Sequence, residues 1–215
     1  MKNKPSWFLI LMINSLVFGL IMAADAAGEG DSMKAAEKNN INAKRGIFAG
    51  GCFWCMQPPF DVLQGVLSTR VGYAGGAAKN PTYDEVSGGR TGHAEVIEVT
   101  YDPVKINYEQ LLDTFWKNID PTTRDQQFAD RGSQYRTAIL YLDDEQKKLA
   151  LASKEKIEKS GWYDRPIVTE ISPAGEFYPA EDYHQKYYKK QPVHYEMYKN
   201  GSGRGAYLKK KWNKA

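Results

Sequence analysis

Read for the spacing of its apolar residues, the chain from residue 45 onward alternates two patterns. Short runs rich in β-branched and aromatic residues are separated by stretches whose apolar side chains recur every three or four positions, the mark of strands interleaved with helices. Arg45–Ala49 reads as a short strand, and Phe53–Leu63 as a helix that Pro58 and Pro59 bend or break. Val66–Tyr73 is a second strand, ended by Gly75 and Gly76. Ala94–Tyr101 runs Ala-Glu-Val-Ile-Glu-Val-Thr-Tyr, which fits a half-exposed strand, and Asp102-Pro103 stops it. Leu111, Leu112, Phe115 and Trp116 give Tyr108–Ile119 a helical period. Tyr135–Leu142 is a further strand, and Asp143–Ser160 a helix that opens on acids and closes on Lys159 and Gly161. Ile167–Ile171 is the expected last strand and Asp182–Lys190 the expected last helix.

That order contains a β-α-β-β-α-β core. The expected fold class is α+β, a ferredoxin-like two-layer sandwich with long loops and an extra C-terminal segment. Residues 1–26 read as a signal peptide: Lys2 and Lys4 precede the apolar stretch Trp7–Met22, and Ala24-Asp25-Ala26 offers small residues for cleavage. That stretch is short against the usual span of about 20 residues, so cleavage is favoured over a retained anchor. Residues 27–44 are polar and alanine-rich, a flexible lead-in, and residues 45–215 form one catalytic domain. The expected location is therefore outside the cytoplasm, in a periplasm-like compartment.

Composition narrows the function. A net charge of +3, with acids and bases interspersed and Lys209–Lys211 the longest basic run, is too weak a field for nucleic-acid binding. The basic tail reads as a solvated end. Tyrosine supplies 14 residues, many between Tyr178 and Tyr198, which suggests core packing or a pocket wall. A chain of 215 residues builds an adequate core without disulfides, so its two cysteines, Cys52 and Cys55, are free for chemistry.

Both sit in Gly-Gly-Cys-Phe-Trp-Cys, between a strand and a helix. Unpaired backbone N–H groups at a helix start favour negative charge and are expected to lower the Cys52 thiol from its usual value of about 8.5. Cys55 lies one turn later on the same face, near enough for a disulfide with modest adjustment. A structural disulfide would remove little chain entropy from so short a loop, so redox cycling is the better reading. A haem link would need His after the second Cys, where Met56 stands, and His93, His184 and His194 show no zinc-ligand spacing, so no metal or organic cofactor is expected. A thioredoxin-like thiol–disulfide exchanger, with Pro166 as its cis-proline, stays open on the cysteines alone.

More of the chain resembles the A-type peptide methionine sulfoxide reductases. The likeness runs from Gly51-Cys52-Phe53-Trp54 through Val71–Gly76, Asn80–Tyr83, Gly92–Val96, Tyr101–Pro103, Phe115-Trp116, Asp120–Thr122 and Gln127–Arg136 to Phe177-Tyr178 and Ala180–Gln185. The resemblance implies reduction of methionine S-sulfoxide, free or in proteins, to methionine; the chain is expected to act as a monomer and without a cofactor. It makes Cys52 the nucleophile, Glu95 a protonated acid beside the sulfoxide oxygen, Tyr83 and Tyr135 hydroxyl donors to that oxygen, and Asp130 a member of the polar network. Phe53 and Trp54 become the wall that receives the substrate methyl group. Relatives often resolve the sulfenic acid with a cysteine in a C-terminal tail, but Gly201–Ala215 has none, which leaves Cys55 as the internal candidate and a thioredoxin-like dithiol protein as the final reductant. His184 is expected to pack within a helix or network. His93, which shares a strand face with Glu95, shapes the pocket or packs at the strand entry. A redox sensor or scaffold that kept the fold without turnover is the non-enzyme alternative.

Overall fold

Strand β1 (Lys44–Gly50) forms the centre of the sheet, because it pairs antiparallel with β3 (Ala94–Tyr101) on one side and with β6 (Thr137–Tyr141) on the other. A computed structural model describes residues 43–212. The expected signal peptide, residues 1–26, and most of the expected lead-in, 27–44, lie outside the described residues. Lys44 itself already pairs with Tyr101, so the sheet begins one residue earlier than the apolar pattern indicates.

Helix α1 (Phe53–Asp61) leads to β2 (Val66–Ala74), which pairs with β3, and a short helix α2 (Tyr83–Ser87) separates those two strands. Helix α3 (Tyr108–Trp116) is followed by the ribbon β4 (Gln126–Gln127) and β5 (Asp130–Arg131), and a 3₁₀ turn, Ser133–Tyr135. After β6 come helix α4 (Asp144–Lys159), β7 (Glu170–Pro173) and β8 (Tyr178–Pro179). The six-stranded sheet has the order β7-β6-β1-β3-β2-β8, antiparallel throughout except for the β6–β7 pair. The fold is mixed α+β on a mostly antiparallel sheet. Three helices close the chain: α5 (Tyr187–Lys190), α6 (Pro192–Gly201) and α7 (Arg204–Trp212).

Alternation along β1 explains how α1 is held. Phe48 points to one face, where its ring stacks at 5.3 Å on Phe60 of α1, at 5.8 Å on Tyr108 and at 5.6 Å on Phe115 of α3. Ile47 and Ala49 point to the other face and pack with Ala74, Ala94, Val96, Ala138 and Leu140, side chains small enough for that layer to lie close. Burying a phenylalanine contributes roughly 1.5–3 kcal/mol, and the aromatic cluster fixes the cysteine-bearing helix against the sheet. Both prolines lie inside α1, and the helix continues through them to Asp61.

Strand β3 departs from the half-exposed pattern, for both of its glutamates are buried. Glu98 is neutralised by Arg45 at 3.0 Å and Arg70 at 2.6 Å. Glu95 faces the opposite side with Ile97 and Val99, toward α1.

The C-terminal segment differs most from expectation. Of the expected helix Asp182–Lys190, only Tyr187–Lys190 is α-helical. Gln185 spends its side chain on the edge of β2, accepting from Val71 N–H at 2.9 Å and donating to Val71 O at 2.8 Å, and Lys186 is left-handed at φ 54°. In the basic tail Lys209 and Lys210 are exposed, as expected, but they lie on α7, which is anchored through Arg204, 3% exposed.

Candidate active site

Cys52 is the N-cap residue of α1, at the end of the turn that leaves β1. Gly51 makes that turn at φ +79°, and a Cβ there would lie 2.4 Å from Gln127 Cβ. The glycine therefore serves close packing of the Asp120–Gln127 loop. Gln127 in turn ties that loop, accepting from Asp120 N–H at 2.9 Å and donating to Asp120 O at 2.6 Å.

Sequence-distant residues meet in front of Cys52. A cavity of about 60 Å³ is lined by Cys52, Phe53 and Trp54 of the α1 start, Tyr83 of α2 and Glu95 of β3. Asp130 of β5, Tyr135 of the 3₁₀ turn and Tyr198 of α6 complete the wall. Every residue that the sequence implicated in catalysis or substrate binding faces this one space, and Cys55 lies buried behind it. A larger groove of about 290 Å³ around Lys44, Asp143 and Glu145 holds no cysteine and no buried acid.

Glu95 is 2% exposed, and its Oε2 accepts the Phe53 backbone N–H at 3.0 Å. Burial penalises its charged form more than that hydrogen bond and the helix end favour it, and the carboxyl is pushed up to about 8. Glu95 is thus a protonated acid at neutral pH, lining the same cavity as the nucleophile.

The cysteine pair corrects the expectation of a low Cys52 pKa. Burial and a hydrogen bond with Cys55 raise the Cys52 thiol well above its ordinary value, whereas that same hydrogen bond, helped by the Arg204 charge, lowers Cys55. Both are free thiols. The helix start does favour a thiolate, but burial and the Cys55 hydrogen bond outweigh it at Cys52, and within the pair it is Cys55 whose ionisation is eased.

The remaining walls are fixed by contacts. Trp54 stacks on Tyr187 at 3.8 Å and 7°, and its Nε1–H donates to His184 Nδ1 at 3.0 Å. His184 therefore carries its proton on Nε2; burial lowers its pKa to about 4, so it is a neutral positioning group and not a base. Glu181 accepts from the Tyr83 N–H at 2.9 Å and from the Tyr73 hydroxyl at 2.8 Å, which sets the start of α2. Burial raises Tyr83 to about 12 and Tyr135 further, so both phenols keep their protons. Asp130 accepts from the Tyr198 hydroxyl at 2.5 Å, and burial raises its carboxyl. His93 takes no part in the cavity wall: it accepts from Gly76 N–H at 3.1 Å, and its Nε2 lies 2.7 Å from Ala78 O, which staples the loop after β2.

Tyr198, Tyr187, Glu181 and Arg204 were not visible as site residues in the sequence. The tyrosine-rich run hinted at a pocket wall, but no spacing rule selects Tyr198 from its neighbours. Among the described residues no cluster of three or more His, Cys, Asp or Glu side chains is arranged to hold a metal ion, and no peptide bond is cis, that before Pro166 included.

The chain is similar to known proteins in sequence and in fold. Residues 44–215 match the family model described as Peptide methionine sulfoxide reductase. A relative from Bacillus pumilus, named Peptide methionine sulfoxide reductase MsrA, is 54% identical over 166 residues, 77% of this chain and 93% of its own length. The Bacillus subtilis protein of the same name is 52% identical over 165 residues, 77% of this chain and 93% of its own. Among solved structures, Mxr1 from Saccharomyces cerevisiae in reduced form matches with a TM-score of 0.68 and 34% identity, over 72% of this chain and 88% of that one. Methionine sulfoxide reductase A of Corynebacterium diphtheriae matches at 0.65 and 35%, over 72% and 77% of the two chains.

Proposed function

The chain belongs to the peptide methionine sulfoxide reductase family, and on that premise we propose that it reduces methionine S-sulfoxide, free or within proteins, to methionine. The observation that carries this reading is a buried acid, protonated up to about pH 8, lining the same small cavity as the Cys52 sulfur. A methyl sulfoxide has one apolar end and one strongly accepting oxygen. The Phe53–Trp54 wall suits the methyl group, and Glu95 with the Tyr83 and Tyr135 hydroxyls suits the oxygen.

Cys52 gives up its proton through Cys55, and its sulfur attacks the sulfoxide sulfur. Electron density moves onto the oxygen, which takes the Glu95 proton as it forms. A bond forms between the Cys52 and substrate sulfurs as the S–O bond breaks, and the oxygen leaves as water, with the Glu95 proton and a second proton from solvent. A water then adds to the Cys52 sulfur and gives up a proton, the sulfur–sulfur bond breaks, and methionine leaves reduced by two electrons with Cys52 oxidised to a sulfenic acid. Asp130 and Tyr198 hold the far wall of the polar network. Cys55 then resolves the sulfenic acid as a Cys52–Cys55 disulfide, and a thioredoxin-like dithiol protein reduces it.

The β1-α1-β2-β3-α3-β6 order, with strands arranged β6-β1-β3-β2, is read as the ferredoxin-like core extended by β7 and β8. Export through residues 1–26 and action as a monomer in a periplasm-like compartment fit a repair role where surface methionines are oxidised. The test supplies a methionine S-sulfoxide compound with dithiothreitol and measures methionine, with Cys52→Ser as control. Turnover that persists in Cys52→Ser overturns the reading.

A further inference from the structure

The last helix carries a charge that the catalytic step leaves unused. Arg204 is 3% exposed, and its guanidinium reaches across the molecule to the turn between β1 and α1. Nη2–H donates to Gly50 O at 2.8 Å and Nη1–H to Asn118 O at 2.7 Å, while Nη1 also lies 3.5 Å from the sulfur of Met56, the residue after Cys55. The guanidinium plane covers the Phe128 ring at 4.6 Å. At Gly51 a side chain would come within 3.0 Å of Nη2, so the turn is shaped to admit it.

Among the described residues no carboxylate stands within ion-pair distance of Arg204. Burying a cation without a counter-charge is unfavourable, and two carbonyls and a thioether offset only part of that cost. Its positive charge favours the ionised forms of Cys55 and Asp130.

We propose that Arg204 is a positioning residue for recycling: it braces the Gly50–Cys52 turn and holds positive charge beside Cys55, so that Cys55 is the thiolate that resolves oxidised Cys52. This rests on the reading of Cys55 as the resolving residue. In the step, the Cys55 thiolate attacks the Cys52 sulfur, the S–S bond forms and the S–O bond breaks. The oxygen leaves as water with a proton that Glu95 has regained from solvent. A dithiol partner then restores both thiols and becomes a disulfide itself. The last helix, α7, thus supplies the cation that activates Cys55.

The test follows the ultraviolet thiolate absorbance of Cys55 against pH in a Cys52→Ser background, as the difference from the Cys52→Ser/Cys55→Ser double variant. Arg204→Gln, which keeps an N–H donor and loses the charge, moves the midpoint up by about one pH unit, and Arg204→Lys leaves it near the parent. In chains that keep Cys52, Arg204→Gln slows disulfide formation after one equivalent of sulfoxide roughly tenfold near neutral pH. A Gln midpoint that does not move, or a Lys midpoint that moves as far as Gln, overturns the proposal, with circular dichroism matching the parent as the fold check. Should Arg204→Gln not fold, the Lys variant decides: an upward shift despite its retained charge overturns the proposal. Failure of the underlying reading has a different signature, namely that the parent protein with Arg204 intact forms no Cys52–Cys55 disulfide after its first turnover.

Discussion

The backbone N–H of Phe53 donates to Glu95 Oε2 at 3.0 Å, so the first amide of the cysteine helix also orients the buried acid. One helix start thus fixes nucleophile and proton donor relative to each other, and any shift of α1 moves both. Truncating a positioned proton donor typically costs 10²–10⁴-fold in rate. Glu95→Gln is expected to slow the first reduction by about that factor while leaving the sheet intact, measured as methionine formed in a rapid single turnover. A loss under about tenfold would mean that Tyr83 and Tyr135 suffice.

The raised Glu95 pKa also makes stability fall with pH. An acid whose folded pKa lies above its ordinary value of 4.5 binds its proton more tightly in the folded state, so stability is lost progressively as pH rises from there to about 8. Glu95→Gln removes that loss. Denaturant midpoints of the variant and parent are therefore expected to diverge more at pH 9 than at pH 5, in favour of the variant.

Cys55→Ser is expected to release one equivalent of methionine as the parent does and then to stall with a thioredoxin-type reductant. Undiminished cycling in that variant removes Cys55 from the mechanism.

Trp54 is held by its stack on Tyr187 and its bond to His184. An aromatic pair is worth about 0.5–1.5 kcal/mol, so Tyr187→Ala is expected to raise KM for a sulfoxide substrate roughly 2- to 10-fold with a smaller change in kcat. An unchanged KM would show that the wall stands without the stack.

What was legible in the sequence follows from local physics. The strands around β1, β2 and β3 announce themselves by alternation, and α3 and α4 by period and caps. Residue α2 positions were overlooked, although Thr82-x-x-Glu85 is a capping box that the structure bears out with both bonds formed. The apolar pattern places Tyr135 in a strand, whereas it belongs to the 3₁₀ turn and lines the cavity. The C-terminal helices were hidden because their apolar residues are mostly tyrosines that stack on distant partners rather than repeating along one face. The Cys52 pKa is hidden for a related reason: a helix start is readable from the order of residues, but the groups that surround the thiol, Glu95 and Tyr198 among them, come from elements far along the chain.

The most direct test is the protonation state of Glu95 in the free protein, followed by infrared difference spectroscopy against Glu95→Gln. A protonated carboxyl band that persists until pH approaches 8 is the expected result. A carboxylate already ionised near its ordinary value of 4.5 would contradict it, since no acid would then wait beside Cys52 at neutral pH.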